Sequence, residues 1–263
     1  MAAEKEQQTL QRRTAAHYDA YPFDFLTPED EASIATMQPR PFLRFIREHA
    51  KAGMKVGEIG CGPGRGTMYL TQAGLDVTAL DLSGTSIALA RGRAPGAQFV
   101  QGSNLDLPFA DATFDLVVSD GVIHHTPDAY RAFAENVRVL KPGGLMYLGV
   151  YNRRRYYYYL YTYFGAPVRR LERTRLGRAL VCGTVFPPYY LAHLVKSRGK
   201  RTVRGARNFF YDYVITPQAS FHTREEVAEW AVRSGLDLTD YDPSMGNVHV
   251  FVLRKRQDRR GTV

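Results

Sequence analysis

The chain holds only two cysteines, Cys61 and Cys182, far apart and in no CxxC pair. That scarcity argues against a disulfide framework and a structural zinc site; no metal is expected, and a reducing cytoplasm is the expected location. No stretch approaches the roughly 18 uninterrupted apolar residues of a membrane span. Met1 to Gln11 is polar, carries charges of both signs and lacks an apolar core, so a secretory signal is not expected. There is no internal repeat, and the one biased tract is rich in tyrosine.

What is present suits a globular protein. At 263 residues, 44% hydrophobic and 23% charged, the chain can bury one domain with a smaller appendage. The net charge of +9 points to an anionic partner, which could be a phosphorylated metabolite, nucleic acid or a lipid surface, or else to a merely basic exterior. Much of the excess falls between Arg153 and Arg207.

Periodicity divides the chain. Glu4 to Ala20 has helical composition and is broken at Tyr21-Pro22-Phe23. Phe42, Phe45 and Ile46 share one face of a second helix over Pro41 to Ala50. From Met54 onward, strands and helices alternate. Strands are expected at 55–59, 76–80, 98–100, 114–118 and 145–150, with helices at 67–73, 84–93 and 127–140. Lys141-Pro142-Gly143-Gly144 reads as a turn. The rhythm fails for about 65 residues after Tyr151, then resumes with a helix from Thr223, capped by Glu226. Two strands, 236–241 and 248–253, finish the chain, and their short connection requires an antiparallel pair.

This order implies an α/β fold, a Rossmann-like, doubly wound and mostly parallel seven-stranded sheet ending in that antiparallel pair. Residues 1–52 would form an N-terminal helical lid, 53–151 the core, 152–216 a helical Tyr/Arg-rich cap inserted after strand 5, and 217–255 the completion of the core. Ligands of such sheets sit beyond the carboxyl ends of the strands. Gly60, Asp81 and the loops from Gly102 and Ser119 all fall there.

Gly60-Cys61-Gly62-Pro63-Gly64 lets backbone N–H groups approach a ligand closely. Asp81, about 20 residues on, suits two vicinal ribose hydroxyls, because an ionised carboxylate accepts both hydrogen bonds. A P-loop lacks its Gly-Lys-Ser/Thr here, and the spacing is not the GxGxxG of hydride-transfer enzymes.

As an ordered set, the motifs resemble those of the class I S-adenosylmethionine-dependent methyltransferases with small-molecule substrates. Glu58-Ile59-Gly60-Cys61-Gly62-Pro63-Gly64 is similar to that family's first motif and Asp81-Leu82-Ser83 to its second. Leu107-Pro108-Phe109 through Phe114-Asp115-Leu116-Val117 and Val139-Leu140-Lys141-Pro142-Gly143-Gly144 are similar to its later ones. The resemblance implies S-adenosylmethionine as methyl donor and S-adenosylhomocysteine as product. Gly60, Cys61 and Gly62 would then pass the methionine moiety, with Glu58 orienting the loop. Asp81 would hold the ribose and Leu82 would pack on adenine. Many relatives place an Asp in the third motif; Gly102-Ser103-Asn104 stands here instead, so Ser103 or Asn104, with Leu105, would face the adenine. Ser119 and Asp120 would lie near the sulfonium. Tyr18 and Tyr21 belong to a segment that folds over the cofactor in relatives.

Methyl transfer needs alignment and, for a hydroxyl acceptor, removal of a proton. His124 and His125 are candidate general bases, with loop shaping as the alternative. Tyr21, Tyr151, Arg153, Tyr157 and His222 are candidate acceptor-site residues. The stretch from Arg153 through Tyr156-Tyr157-Tyr158-Tyr159 to Phe164 has three readings: an aromatic pocket with arginines clamping an anionic acceptor, a homodimer interface, or, less favoured, a peripheral membrane contact. The expected activity is methylation of a small molecule, O- favoured over N- or C-. The alternatives are a nucleic-acid methyltransferase and a cofactor-binding protein that transfers no methyl group. Ser119-Asp120-Gly121 in place of Asn/Asp-Pro-Pro-Tyr/Phe argues against the former.

Overall fold

The computed structural model describes residues 2–199 and 202–257. Helix α1 (Ala2–Ala20) ends where Pro22 disfavours a further turn, and two unanticipated pieces follow: α2 (Pro28–Ala32) and a short 3₁₀ turn, Ile34–Met37. Thr27 and Asp30 form a reciprocal cap that starts α2. Next come α3 (Arg40–His49), β1 (Lys55–Ile59), α4 (Arg65–Gln72), β2 (Asp76–Asp81), α5 (Gly84–Arg93), β3 (Gln98–Gln101), β4 (Phe114–Asp120), α6 (Ala129–Val139) and β5 (Leu140–Tyr151). Short helices α7 (Tyr156–Tyr159), α8 (Ala166–Glu172), α9 (Arg175–Leu180), α10 (Phe186–Lys196) and α11 (Val203–Phe210) make the insertion, joined in places by π-helical turns. Helix α12 (Arg224–Arg233), β6 (Leu236–Asp242) and β7 (Val248–Lys255) close the chain.

The seven strands form one sheet in the order β3-β2-β1-β4-β5-β7-β6. Strands β1 to β5 pair in parallel, while β7 runs antiparallel to both β5 and β6. The switch point lies between β1 and β4, where β1 is followed by the glycine loop and β4 ends at Asp120.

Alternation along the strands sends side chains to two cores. Val117, Met146, Leu148 and Phe251 pack with Phe133 of α6 and Trp230 of α12. Leu116, Val118, Tyr147 and Val252 pack with Phe45 of α3, Leu70 of α4 and Ile87 of α5. The Lys141–Gly144 turn corrects to a bulge: Leu140 pairs with Phe114 and Leu145 with Leu116, so one strand spends five positions where its neighbour spends two. Gly143 adopts φ +78° there, which keeps turn geometry inside the bounds of the strand. The Thr223–Glu226 cap is present as the spacing predicts.

A candidate cofactor and acceptor cavity

At the switch point the glycine loop opens a cavity of about 430 Å³. Gly60 takes φ +83°, and a Cβ there would lie 2.3 Å from a Val122 methyl, so only glycine fits. Gly66, in the first turn of α4, lets the buried Glu58 carboxylate tuck over the helix start; a Cβ at this position would meet Oε1 at 2.1 Å. The Thr67 hydroxyl donates to Glu58 Oε2 at 2.5 Å. Burial lifts the Glu58 carboxyl to about 7, against the pull of Thr67 and Arg65.

Asp81 ends β2 and ties the loop together. Its Oδ2 accepts from the Gly62 N–H at 2.8 Å and its Oδ1 from the Ser83 N–H at 2.9 Å. Each oxygen keeps a lone pair for a further donor. Burial raises its carboxyl above the usual range. Leu82 and Leu105 also line the cavity.

The third-motif residues divide their roles. Ser103 Oγ accepts from the Leu105 N–H at 3.0 Å and so builds the turn. Asn104 lines the cavity and is buried, yet neither its Oδ1 nor its Nδ2 has a partner among the described residues. An unpaired buried amide is costly. One donor and one acceptor side by side suit the amino edge of an adenine, so these residues fit an adenosyl group. Asp120 sits beside Arg65, 3.6 Å from its guanidinium, and also faces the cavity. Ser119 corrects to a fully buried residue outside the lining, because alternation along β4 turns it from the side that Asp120 occupies.

Beyond the loop the cavity becomes aromatic and apolar, walled by Phe23, Phe25, Phe42, Phe209, Tyr151 and Tyr213. Three polar groups converge there. Asp212 enters from the π-helical turn Tyr211–Ile215 that follows α11. The Tyr18 hydroxyl, from the last turns of α1, donates to Asp212 Oδ1 at 3.2 Å. Burial raises the Asp212 carboxyl to about 7 even against this hydrogen bond. His125 contacts the Tyr18 ring at 5.9 Å. Its Nδ1 lies 2.7 Å from the Gln218 carbonyl oxygen, which can only accept; Nδ1 therefore carries the proton and Nε2 a lone pair. Burial lowers His125 to about 4, so the ring is neutral at pH 7.

Several predicted site residues lie elsewhere. His124 is fully buried behind the wall, its ring 3.7 Å from that of Tyr151 at a 30° tilt, with its Nδ1 accepting from the Tyr151 N–H. Tyr21 stacks on Tyr211 at 3.7 Å outside the cavity. Tyr157 belongs to a small aromatic core, its hydroxyl given to the Tyr213 carbonyl at 2.8 Å. His222 is held between Glu226, at 2.9 Å, and Ser220, at 2.8 Å. Arg153 is exposed, over the Tyr158 ring. Arg153→Ala is therefore expected to leave the acceptor KM within about twofold, as measured by steady-state kinetics; a tenfold rise would place the acceptor outside this cavity.

Asp212 escaped the sequence reading although a signal existed: it is the only acid between Arg173 and Thr223, set in an arginine- and tyrosine-rich tract.

Comparison with known proteins bears on the domain and the fold. Residues 57–148 match the family model for a methyltransferase domain. The chain is 42% identical over 98 residues to an uncharacterized methyltransferase of Synechocystis, covering 36% of this chain and 46% of that one. It is 36% identical over 137 residues to a phthiotriol/phenolphthiotriol dimycocerosates methyltransferase of Mycobacterium ulcerans, covering 50% and 51%. The matches thus span about half the length of these relatives. A Methanosarcina mazei S-adenosylmethionine-dependent methyltransferase shares the fold, with TM-score 0.53 and 21% identity over 81% of this chain and 98% of that one. Residues 57–148 thus match a methyltransferase domain, and the chain has the fold of solved S-adenosylmethionine-dependent methyltransferases.

Proposed function

We propose that the chain transfers a methyl group from S-adenosylmethionine to a hydroxyl of an apolar small molecule. The observation that carries this reading is one continuous cavity that runs from the glycine loop and Asp81 to an aromatic chamber holding Asp212, Tyr18 and His125. Glu58, Gly60, Gly62, Asp81 and Asn104 would hold the cofactor, which supplies an electrophilic methyl group on a sulfonium when bound. The acceptor is confined by Phe23, Phe25 and Phe209, and its hydroxyl proton passes to Asp212 Oδ2, the oxygen that Tyr18 leaves free. A carboxyl poised near neutrality suits that task. Arg65 is the one cation among the described lining residues, and it faces Asp120. An anionic acceptor clamped by arginine therefore has no support within the cavity, whereas a neutral, apolar one does. The phthiotriol and phenolphthiotriol in the name of the M. ulcerans relative, an alcohol and a phenol by those words, are in keeping with this choice.

The test is incubation with methyl-labelled S-adenosylmethionine and a panel of apolar alcohols and phenols, with oligonucleotides in a parallel arm. Label in an organic-extractable ether supports the proposal. Label confined to oligonucleotides overturns it, as does cofactor binding with no transfer to any acceptor.

A further inference from the structure

Between positions 153 and 207 the sequence holds fourteen arginines and lysines and a single acid, Glu172. This segment therefore carries a net +13, and the rest of the chain a net −4. The same segment is bare of cover. Ten of the eleven large hydrophobic side chains exposed among the described residues lie in it, with Leu176 74% exposed, Val195 72% and Leu191 60%. They recur at helical spacing: Tyr156, Tyr159 and Tyr163; Leu176 and Leu180 on α9; Leu191 and Val195 on α10. Each is thus a stripe along one side of its helical piece. Arg170, Arg173, Arg175 and Arg204 lie among these stripes, exposed and without an ion pair among the described residues. Such apolar stripes ordinarily mark a contact surface.

We propose that the segment 153–207 docks the protein on an anionic lipid surface. Leucine, valine and tyrosine would enter the headgroup boundary and the arginines would pair with phosphates, the division of labour of an interfacial amphipathic helix. A second copy of this chain is the poorer occupant, because it brings the same +13 against the same +13. Nucleic acid would satisfy the arginines but leave the aliphatic stripes in water. No described helix is long and apolar enough to cross a membrane, and the docking proposed is a peripheral one. Docking of this kind is independent of the nature of the acceptor. It does place the cavity beside the membrane, since Tyr211–Ile215, which carries Asp212 and Tyr213 into the wall, follows α11 directly.

The experiment is co-sedimentation of the full chain with vesicles of phosphatidylcholine alone and of equimolar phosphatidylcholine and phosphatidylglycerol. Two variants accompany the wild type: Leu176→Ser/Leu180→Ser/Leu191→Ser, and Arg170→Glu/Arg173→Glu/Arg175→Glu. All six side chains are exposed, so circular dichroism and S-adenosylhomocysteine titration should match the wild type. The wild type is expected to pellet with the mixed vesicles only. The arginine variant should partition about a hundredfold less, and the leucine variant at least tenfold less. Failure to pellet with the mixed vesicles overturns the proposal. So does undiminished binding of the leucine variant, which would mark a purely electrostatic polyanion site such as RNA would use. A leucine-dependent dimer in sedimentation velocity without vesicle binding overturns it in favour of self-association.

Discussion

Asp212→Asn is expected to lower kcat about a hundredfold or more, the usual contribution of a positioned base, while S-adenosylhomocysteine affinity stays within about twofold. The substitution keeps the shape of the side chain and leaves an oxygen for the Tyr18 hydroxyl, 3.2 Å away in the native protein. What it removes is a carboxyl that burial has raised to about 7. In the native enzyme kcat should therefore climb with pH through about 7 as that group ionises, and the variant should lose this limb. His125 cannot supply it, because burial has lowered the imidazole to about 4. Glu58 titrates in the same range, but it belongs to the glycine loop, so Glu58→Gln should change cofactor affinity and keep the limb. Stability gives an independent reading. A carboxyl raised on folding favours the fold below its unfolded value and loses that contribution as pH rises toward about 7. The Asn variant should consequently melt at or above the wild-type temperature at pH 8, with the advantage closing toward pH 5. A variant that folds, binds and turns over like the wild type would remove Asp212 from the chemistry.

The core and the glycine-loop half of the cavity were legible because both rest on local rules. Period-two alternation put Val117 and Leu116 on opposite faces of β4, and the glycines with Asp81 marked the carboxyl ends of β1 and β2. The aromatic half was not legible for the opposite reason. Tyr18, His125 and Asp212 come from three segments as much as 194 positions apart, and no spacing rule joins them. The His-His pair shows the limit of a motif: adjacent residues faced different surroundings, so His125 reached the cavity while His124 went behind Tyr151. The arginine and tyrosine run shows the same limit, since its composition left a pocket, a dimer interface and a membrane contact all open. Its composition suited a pocket, but Arg153 faces outward, and the inward tyrosine, Tyr157, spends its hydroxyl on the Tyr213 carbonyl.

Asp81→Ala should weaken S-adenosylhomocysteine by about tenfold at the least, or roughly 1.4 kcal/mol, in calorimetric titration. Two losses combine. The variant gives up the carboxylate that would accept the ribose hydroxyls, and it frees the Gly62 and Ser83 N–H groups now held at 2.8 and 2.9 Å. The second loss loosens the loop whose path depends on Gly60, so the effect should exceed that of one ligand hydrogen bond. Asp81→Asn is the milder change. Its single oxygen can keep one of the backbone donors but cannot serve both and the ribose, so its affinity should fall between wild type and Ala. Unchanged binding in a folded Ala variant would move the cofactor away from the end of β2, and the roles of Asn104 and Asp212 would fall with it.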